Sequence, residues 1–162
     1  LGLAISDRGS QSWLDKNHAS SIAPWKRPRL TPNPALAFKD GNPFMVFGTP
    51  GGDAQVQAMT QVFLNVVDFD MNPQQAIEAP RVISLSYPNS FWPHTYLPGR
   101  LGLEARMSPE IAKELALRGH NIEMWPEWTD RAGGACAILI DRKRGVLLGG
   151  ADPRRESYAI GR

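Results

Sequence analysis

Several features that would assign a function directly are scarce in this sequence. Cys136 is the only cysteine, so no disulfide can form within the chain. No apolar run approaches the roughly 18 residues that indicate a transmembrane helix, and the first residues lack the basic segment of a signal peptide. The net charge is only +2, with both signs spread along the chain. We therefore expect neither a membrane-spanning segment nor a nucleic-acid partner.

Metal and nucleotide motifs are missing as well. His18, His94 and His120 are far apart in the sequence, and no Asp, Glu, His or Cys cluster has the spacing of metal ligands. No Gly-Lys-Ser/Thr loop, three-glycine dinucleotide motif or Gly-x-Ser-x-Gly elbow is present. The sequence predicts no metal and no other cofactor. The basic cluster 26–29 is interrupted by proline, which favours a solvated or ion-paired loop.

The composition is that of one globular domain over residues 1–162, with 42% apolar and 21% charged residues. Local patterns predict an α+β fold, with a mostly antiparallel sheet faced by helices. Asn72, Pro73 and Gln75 form a capping-box pattern, and Ser108-Pro109 starts a later helix that Gly119 ends. Strands are predicted at 1–6, 35–38, 44–47, 81–85, 101–104, 121–125, 135–140, 146–148 and 158–160, and the main helices at 54–69, from 73 to just before Pro80, and at 109–118. Within the strand 135–140, Cys136 is expected to be a small buried hydrophobe.

The segment 44–55 is the most informative part of the chain. It reads as an apolar strand, a Pro50-Gly51-Gly52 turn and the first turn of a helix. Backbone N–H groups at a helix start are unpaired, and glycine lets a ligand approach them closely. The loop is therefore a candidate site for an anion or for the oxyanion of an acyl-transfer reaction. A turn that needs glycine only for its own geometry explains the same residues.

Several longer motifs resemble the γ-glutamyltranspeptidase family, in order and over nearly the whole chain. They are Lys26-Arg27-Pro28, the loop 48–52, the helical segments 64–69 and 71–81, and Gly150-Ala151-Asp152-Pro153-Arg154. The resemblance implies an N-terminal-nucleophile (Ntn) hydrolase with a four-layer αββα sandwich. It also implies that Gly51 and Gly52 donate the oxyanion-hole N–H groups.

The resemblance further implies that the nucleophile is a threonine freed by self-cleavage, whose own amine acts as the base. That threonine and the first strands of the small subunit are expected upstream of Leu1. The internal threonines 31, 49, 60, 95 and 129 do not match the family's processing site. The chain is thus interpreted as the C-terminal part of a small subunit, inactive alone, whose partners are the large subunit and the rest of the small subunit.

The predicted substrate pocket departs from the family pattern at two places. Ser6–Gln11 replaces a stretch rich in Asn and Asp that binds the α-amino and α-carboxylate groups of a γ-glutamyl substrate, and Leu30 and Thr31 stand where the family has two serines. Arg8, Gln11, Leu30 and Thr31 are the candidate substrate-binding residues. Because Arg8 disfavours an ammonium and favours a carboxylate, the predicted substrate is a small acidic amide of the oxamate kind, or a γ-glutamyl-type amide.

An alternative belongs to a different class: a stand-alone, non-catalytic module that holds a small anion at the Gly51-Gly52 helix start. Truncation at a strand would also expose an unpaired edge or an apolar face. The isolated chain is therefore expected to self-associate.

Overall fold

Two small sheets and three helices make up the fold. The computed structural model of the protein describes residues 2–161. In chain order the elements are β1 (Ala35–Lys39), β2 (Asn42–Gly48), α1 (Gln55–Val67), α2 (Pro73–Glu78), β3 (Val82–Ser84), β4 (Arg100–Glu104), α3 (Pro109–Leu117), β5 (Asn121–Trp125), β6 (Cys136–Asp141) and β7 (Val146–Ala151).

The larger sheet has the strand order β1-β2-β6-β7, and each neighbouring pair is antiparallel. The smaller sheet has the order β3-β4-β5, in which β3 and β4 are antiparallel and β4 and β5 are parallel. The predicted α+β class with mostly antiparallel pairing is confirmed.

Local sequence signals explain where the helices begin. The Asn72 side chain accepts from the Gln75 backbone N–H at 2.9 Å, and the Gln75 side chain accepts from the Asn72 N–H at 3.1 Å. Pro73 occupies the first helical position, where no N–H is needed. At α3, the Ser108 side chain accepts from the Ile111 N–H. Both predicted caps are therefore present.

The core lies on one face of the larger sheet. Met45 of β2 and Ala137 of β6 pack against Val62 and Val66 of α1 and Ile77 of α2. A second cluster, which includes Ala58, Ile83 and Trp125, joins α1 to the smaller sheet. Each large apolar side chain buried here contributes about 1.5–3 kcal/mol. Helix α1 is thereby packed against both sheets, which fixes the loop at its N-terminus.

The opposite face of the larger sheet is apolar and open, and it corrects the prediction for Cys136. Leu36, Val46, Cys136 and Ile138 are exposed on this face, because side chains alternate along a strand and Ala137 takes the core side. With residues 158–161 it borders a groove of about 1320 Å³. Apolarity alone did not tell which face of the sheet the helices cover.

Two predicted terminal strands are also wrong. Residues 2–6 are exposed and form no strand, and Leu1 lies outside the described residues. Residues 158–160 are not a strand either; they run beside the open sheet face. Both segments have an apolar strand-like pattern, but the described residues offer neither segment a partner strand.

Candidate functional site

The glycine loop between β2 and α1 presents two unpaired backbone donors. Gly51 has φ 134° and Gly52 has φ 58°, conformations that other residues adopt only with strain. Gly52–Ala54 forms a 3₁₀ turn that continues into α1. Within residues 2–161, no acceptor lies within hydrogen-bond distance of the Gly51 or Gly52 N–H. The helix dipole adds positive potential at this point, so the loop is suited to a negatively charged oxygen.

Thr49 and the segment 132–135 support this loop from behind. The Thr49 hydroxyl donates to the Pro50 carbonyl and accepts from the Gly134 N–H, both at 2.8 Å. Gly133 lies so close that a Cβ there would be 2.5 Å from Thr49 Oγ1, and a Cβ on Gly51 would be 3.5 Å from Gly133 Cα. A side chain at position 133 would therefore displace the loop.

A buried charge network holds the segment 132–135 in turn. Asp152 accepts from the Ala135 N–H at 2.7 Å, and Arg81 donates to the Ala132 carbonyl at 2.8 Å. Arg81 and Asp152 pair at 2.7 Å, and Arg154 bridges Asp152 and Glu104. Burial by itself would raise the pKa of Asp152, but Arg81 and the N–H groups of Arg154 and Ala135 more than offset it and lower that pKa. The Asp-Pro-Arg motif 152–154 and the Pro-Arg pair 80–81 of the sequence thus form the buried base of the loop.

Asp53 holds the front of the loop. Its carboxylate accepts from the Ser90 N–H at 2.6 Å, from the Ser90 hydroxyl at 2.5 Å and from Arg29 Nη2 at 2.9 Å. The Phe91 ring lies 3.6 Å from where a Cβ of Gly52 would be. Three separate segments, around residues 29, 53 and 90, therefore meet at one carboxylate. The prediction of an ion-paired loop at 26–29 is confirmed for Arg29.

A cavity of about 600 Å³ opens in front of these groups. Among its lining residues are Arg29, Leu30, Thr31, Gly52 and Asp53. Tyr87 also lines it; burial and the nearby Asp53 carboxylate raise the pKa of the Tyr87 hydroxyl, which keeps the phenol neutral.

The structure brings some of the predicted substrate residues together. Arg8 Nη1 donates to Thr31 Oγ1 at 2.9 Å, so Arg8 lies beside the cavity that Leu30, Thr31 and Gly52 line. Gln11 is only 1% exposed and does not line the cavity, and neither atom of its side-chain amide has a partner within the described residues. Of the two glycines, Gly52 lines the cavity and Gly51 does not.

Sequence reasoning gave no role to Asp53 and Ser90. The available signal was the acidic residue directly after Gly51-Gly52, at the first turn of a helix, where a carboxylate is stabilised. Its partner Ser90 is 37 residues away, in a segment without regular structure, so no local pattern connects the two.

Neither a metal-ligand cluster nor a membrane-spanning helix is found in the described part of the chain. Residues 2–161 contain no cluster of three or more His, Cys, Asp or Glu side chains arranged to hold a metal ion. His18 and His94 each stack on the side chain of Trp13, with ring centroids 4.0 and 4.1 Å from that of Trp13. No described helix is long and apolar enough to cross a membrane.

The sheet-and-helix arrangement with the glycine loop defines the class of the protein. Its fold is that of an Ntn-hydrolase, seen in a structural neighbour, the cephalosporin acylase from Bacillus halodurans. The TM-score is 0.80 at 34% identity, over 94% of this chain and 26% of that chain.

The family follows from the sequence match. Residues 4–162 match the Gamma-glutamyltranspeptidase family model, and the chain belongs to this family. It is 36% identical over 162 residues to the glutathione hydrolase-like YwrD proenzyme of Bacillus subtilis, and 31% identical over 160 residues to the oxamate amidohydrolase proenzyme of Klebsiella pneumoniae. Each alignment covers 99% of this chain but 29% of the relative, so the chain spans less than a third of either protein.

Proposed function

We propose that the chain is the C-terminal part of the small subunit of an amide-cleaving Ntn-hydrolase, and that Gly51 and Gly52 donate to the oxyanion. The observation that carries this proposal is the pair of unpaired N–H groups at the start of α1, in a chain of this family. In acyl transfer, such donors stabilise the charge that develops on the carbonyl oxygen as the nucleophile attacks.

The nucleophile is proposed to be a threonine outside this chain. The hydroxyl groups of the two threonines nearest the loop are already engaged: Thr31, which lines the cavity, with Arg8, and Thr49, which supports the loop, with Gly134 and Pro50. In the proposed reaction, the threonine Oγ attacks the amide carbon while its own amine takes the hydroxyl proton. The threonine amine passes that proton to the substrate nitrogen as the C–N bond breaks, and the substrate amine leaves. Water then hydrolyses the threonine ester, which releases the acid and restores the hydroxyl.

For the substrate we propose a small amide that carries a carboxylate. Arg8 lies beside the cavity and is fixed by Thr31, in place of the family's receptor for an ammonium. The name of the oxamate amidohydrolase relative describes the same chemical class, at 31% identity. A guanidinium binds a carboxylate through a charge-assisted hydrogen bond, which favours such substrates over those with an ammonium at this point.

The partners are proposed to be the remaining parts of the proenzyme. Val46, Ile138 and their neighbours form an open apolar face on the larger sheet. In a four-layer sandwich, a second sheet packs on such a face at about 10 Å.

The test is to express the complete gene product that contains this chain and follow self-cleavage by mass spectrometry and N-terminal sequencing. A new N-terminal threonine upstream of residue 1 supports the proposal. The processed protein is then assayed with oxamate and with γ-glutamyl-p-nitroanilide, and faster turnover of oxamate supports the acidic-amide assignment. An uncleaved product without amidase activity refutes the proposal that the protein is an amide-cleaving enzyme. Anion binding by that inactive product, lost in a Gly52→Val variant, would establish the non-catalytic alternative.

A further inference from the structure

The Asp53 carboxylate is placed where a negative charge is unfavourable for the proposed reaction. It directly follows the oxyanion donor Gly52 and lines the same cavity. An unscreened carboxylate in a cavity repels a second negative charge at short range, and oxyanion stabilisation needs the opposite potential. Its presence therefore needs a reason.

The hydrogen bonds of Asp53 supply that reason. Ser90 donates to both carboxylate oxygens, at 2.6 Å from its N–H and 2.5 Å from its hydroxyl. Ser90 is only 2% exposed, and the next residue, Phe91, packs against Gly52. Two bonds to one carboxylate fix the distance and the orientation between the glycine loop and the segment 89–91.

Arg29, which lines the same cavity, completes the arrangement. Its Nη2 donates to Asp53 Oδ1 at 2.9 Å, and its side chain is 51% exposed against 12% for Asp53. An ion pair this open adds little to stability. Within the cavity, the positive charge of the Arg29 guanidinium offsets the negative charge of the Asp53 carboxylate next to the oxyanion donors.

We propose that Asp53 is a positioning residue, which orients the Gly51-Gly52 donors by binding Ser90, and that Arg29 compensates its charge. The inference rests on the proposed oxyanion role of the loop. It adds a device built from three segments of the chain, in which the carboxylate positions the donors and the guanidinium keeps that carboxylate from opposing the reaction.

The positioning part is tested by hydrogen exchange, which needs no activity. In the complete gene product, Asp53→Ala should accelerate amide exchange of Ser90, which donates to Asp53, and of Ala54, which donates to the Gly51 carbonyl, by about tenfold or more. Ser90→Ala keeps the charge and the backbone bond, and should give a smaller increase at the same amides. The matched control is Glu114→Ala, which breaks an exposed ion pair with Arg118 on α3 and should leave these amides unchanged. Unchanged exchange in Asp53→Ala and Ser90→Ala overturns the proposal.

The charge part is tested by kinetics with oxamate and γ-glutamyl-p-nitroanilide. Asp53→Asn should lower kcat about tenfold with little change in KM, because misplaced donors act in the transition state. Arg29→Met should lower kcat by a similar or larger factor, whereas Arg29→Lys keeps the charge and most of the rate. The double variant Arg29→Met/Asp53→Asn should lose less rate than the product of the two single losses, because no uncompensated carboxylate remains for Arg29 to offset.

The sign of this coupling decides the charge assignment. A double variant whose loss equals or exceeds the product of the two single losses overturns charge compensation and indicates that Arg29 contacts the substrate directly. If the wild-type protein turns over neither amide, the proposed function fails, while the exchange experiment still confirms or overturns the positioning role of Asp53.

Discussion

Replacing Asp152 by asparagine tests whether the buried charge network holds the base of the glycine loop. Its carboxylate accepts three hydrogen bonds, from the Ala135 N–H at 2.7 Å and from the Arg154 N–H and Nη1 at 3.0 and 3.1 Å, and it forms an ion pair with Arg81 Nη2 at 2.7 Å. Asparagine keeps one acceptor oxygen but turns an NH₂ group toward a donor. It also removes the carboxylate that pairs with the buried Arg81 guanidinium, whereas Arg154 keeps its pair with Glu104.

The expected loss is large because the site is dry. The side chains of Arg81 and Asp152 are 1% and 0% exposed. Removing one partner of such a pair costs about 3–5 kcal/mol in the free energy of unfolding. For a chain of this size that corresponds to a fall of roughly 10 °C in Tm. The control Glu114→Gln removes an exposed pair on α3 and should cost less than about 1 kcal/mol.

Urea unfolding can be followed by tryptophan fluorescence. Trp128 contributes to that signal, and its ring lies 3.5 Å from the Arg106 guanidinium and 5.1 Å from that of Arg154. The pKa of Asp152 is lowered in the folded state from its usual 3.8. Its contribution to stability is therefore fully present above about pH 4 and is lost as the pH falls through the folded pKa. Asp152→Asn should remove that part of the acid dependence. A loss below about 1 kcal/mol at pH 7, or an unchanged acid profile, would refute the reasoning.

Three further changes test other parts of the molecule. Gly133→Ala brings a Cβ to 2.5 Å from Thr49 Oγ1 and should therefore lower kcat of the complete protein about tenfold or more. The control is Gly145→Ala, at an exposed glycine with no neighbour within 4 Å of the added Cβ. An unchanged kcat in Gly133→Ala would show that the loop does not depend on this contact. Arg8→Gln should raise KM for oxamate about tenfold or more while KM for a neutral amide is retained, and equal effects on both would argue against carboxylate binding. Val46→Glu on the open sheet face should reduce self-association of the isolated chain in sedimentation, whereas the control Val56→Glu on the exposed side of α1 should not. A wild-type chain that stays monomeric would contradict the expected self-association through this face.

Most of the local structure could be predicted from the sequence, because the signals and their partners lie within a few residues of each other. The capping box of Asn72 and Gln75 spans one helical turn, and the cap at Ser108 acts over three residues. The glycine loop belongs to the same group, since its donors are unpaired as a consequence of starting a helix.

The wrong predictions share a different physical origin. An alternating apolar pattern shows that a segment can form a strand, but a strand also needs a neighbour to satisfy its backbone groups. Residues 2–6 and 158–160 have the pattern without the neighbour. Cys136 shows the same limit, because burial of a sheet face depends on which layer covers it.

The candidate site combines both situations, which explains why its glycine loop was predicted from local residues and the role of Asp53 was not. Gly51 and Gly52 are local, whereas Asp53 acquires its role through Ser90 and Arg29, which lie 37 and 24 residues away. Such contacts depend on how irregular segments fold over the cavity, and no periodicity describes these segments. The family likeness pointed to Gly51 and Gly52 as the proposed donors but gave no role to the carboxylate of Asp53, whose effect depends on the charge of Arg29 beside it. The rate of the proposed reaction should therefore depend on the residues around Asp53 as well as on the glycines, and variants of Arg29 should lower that rate while Gly52 stays in place.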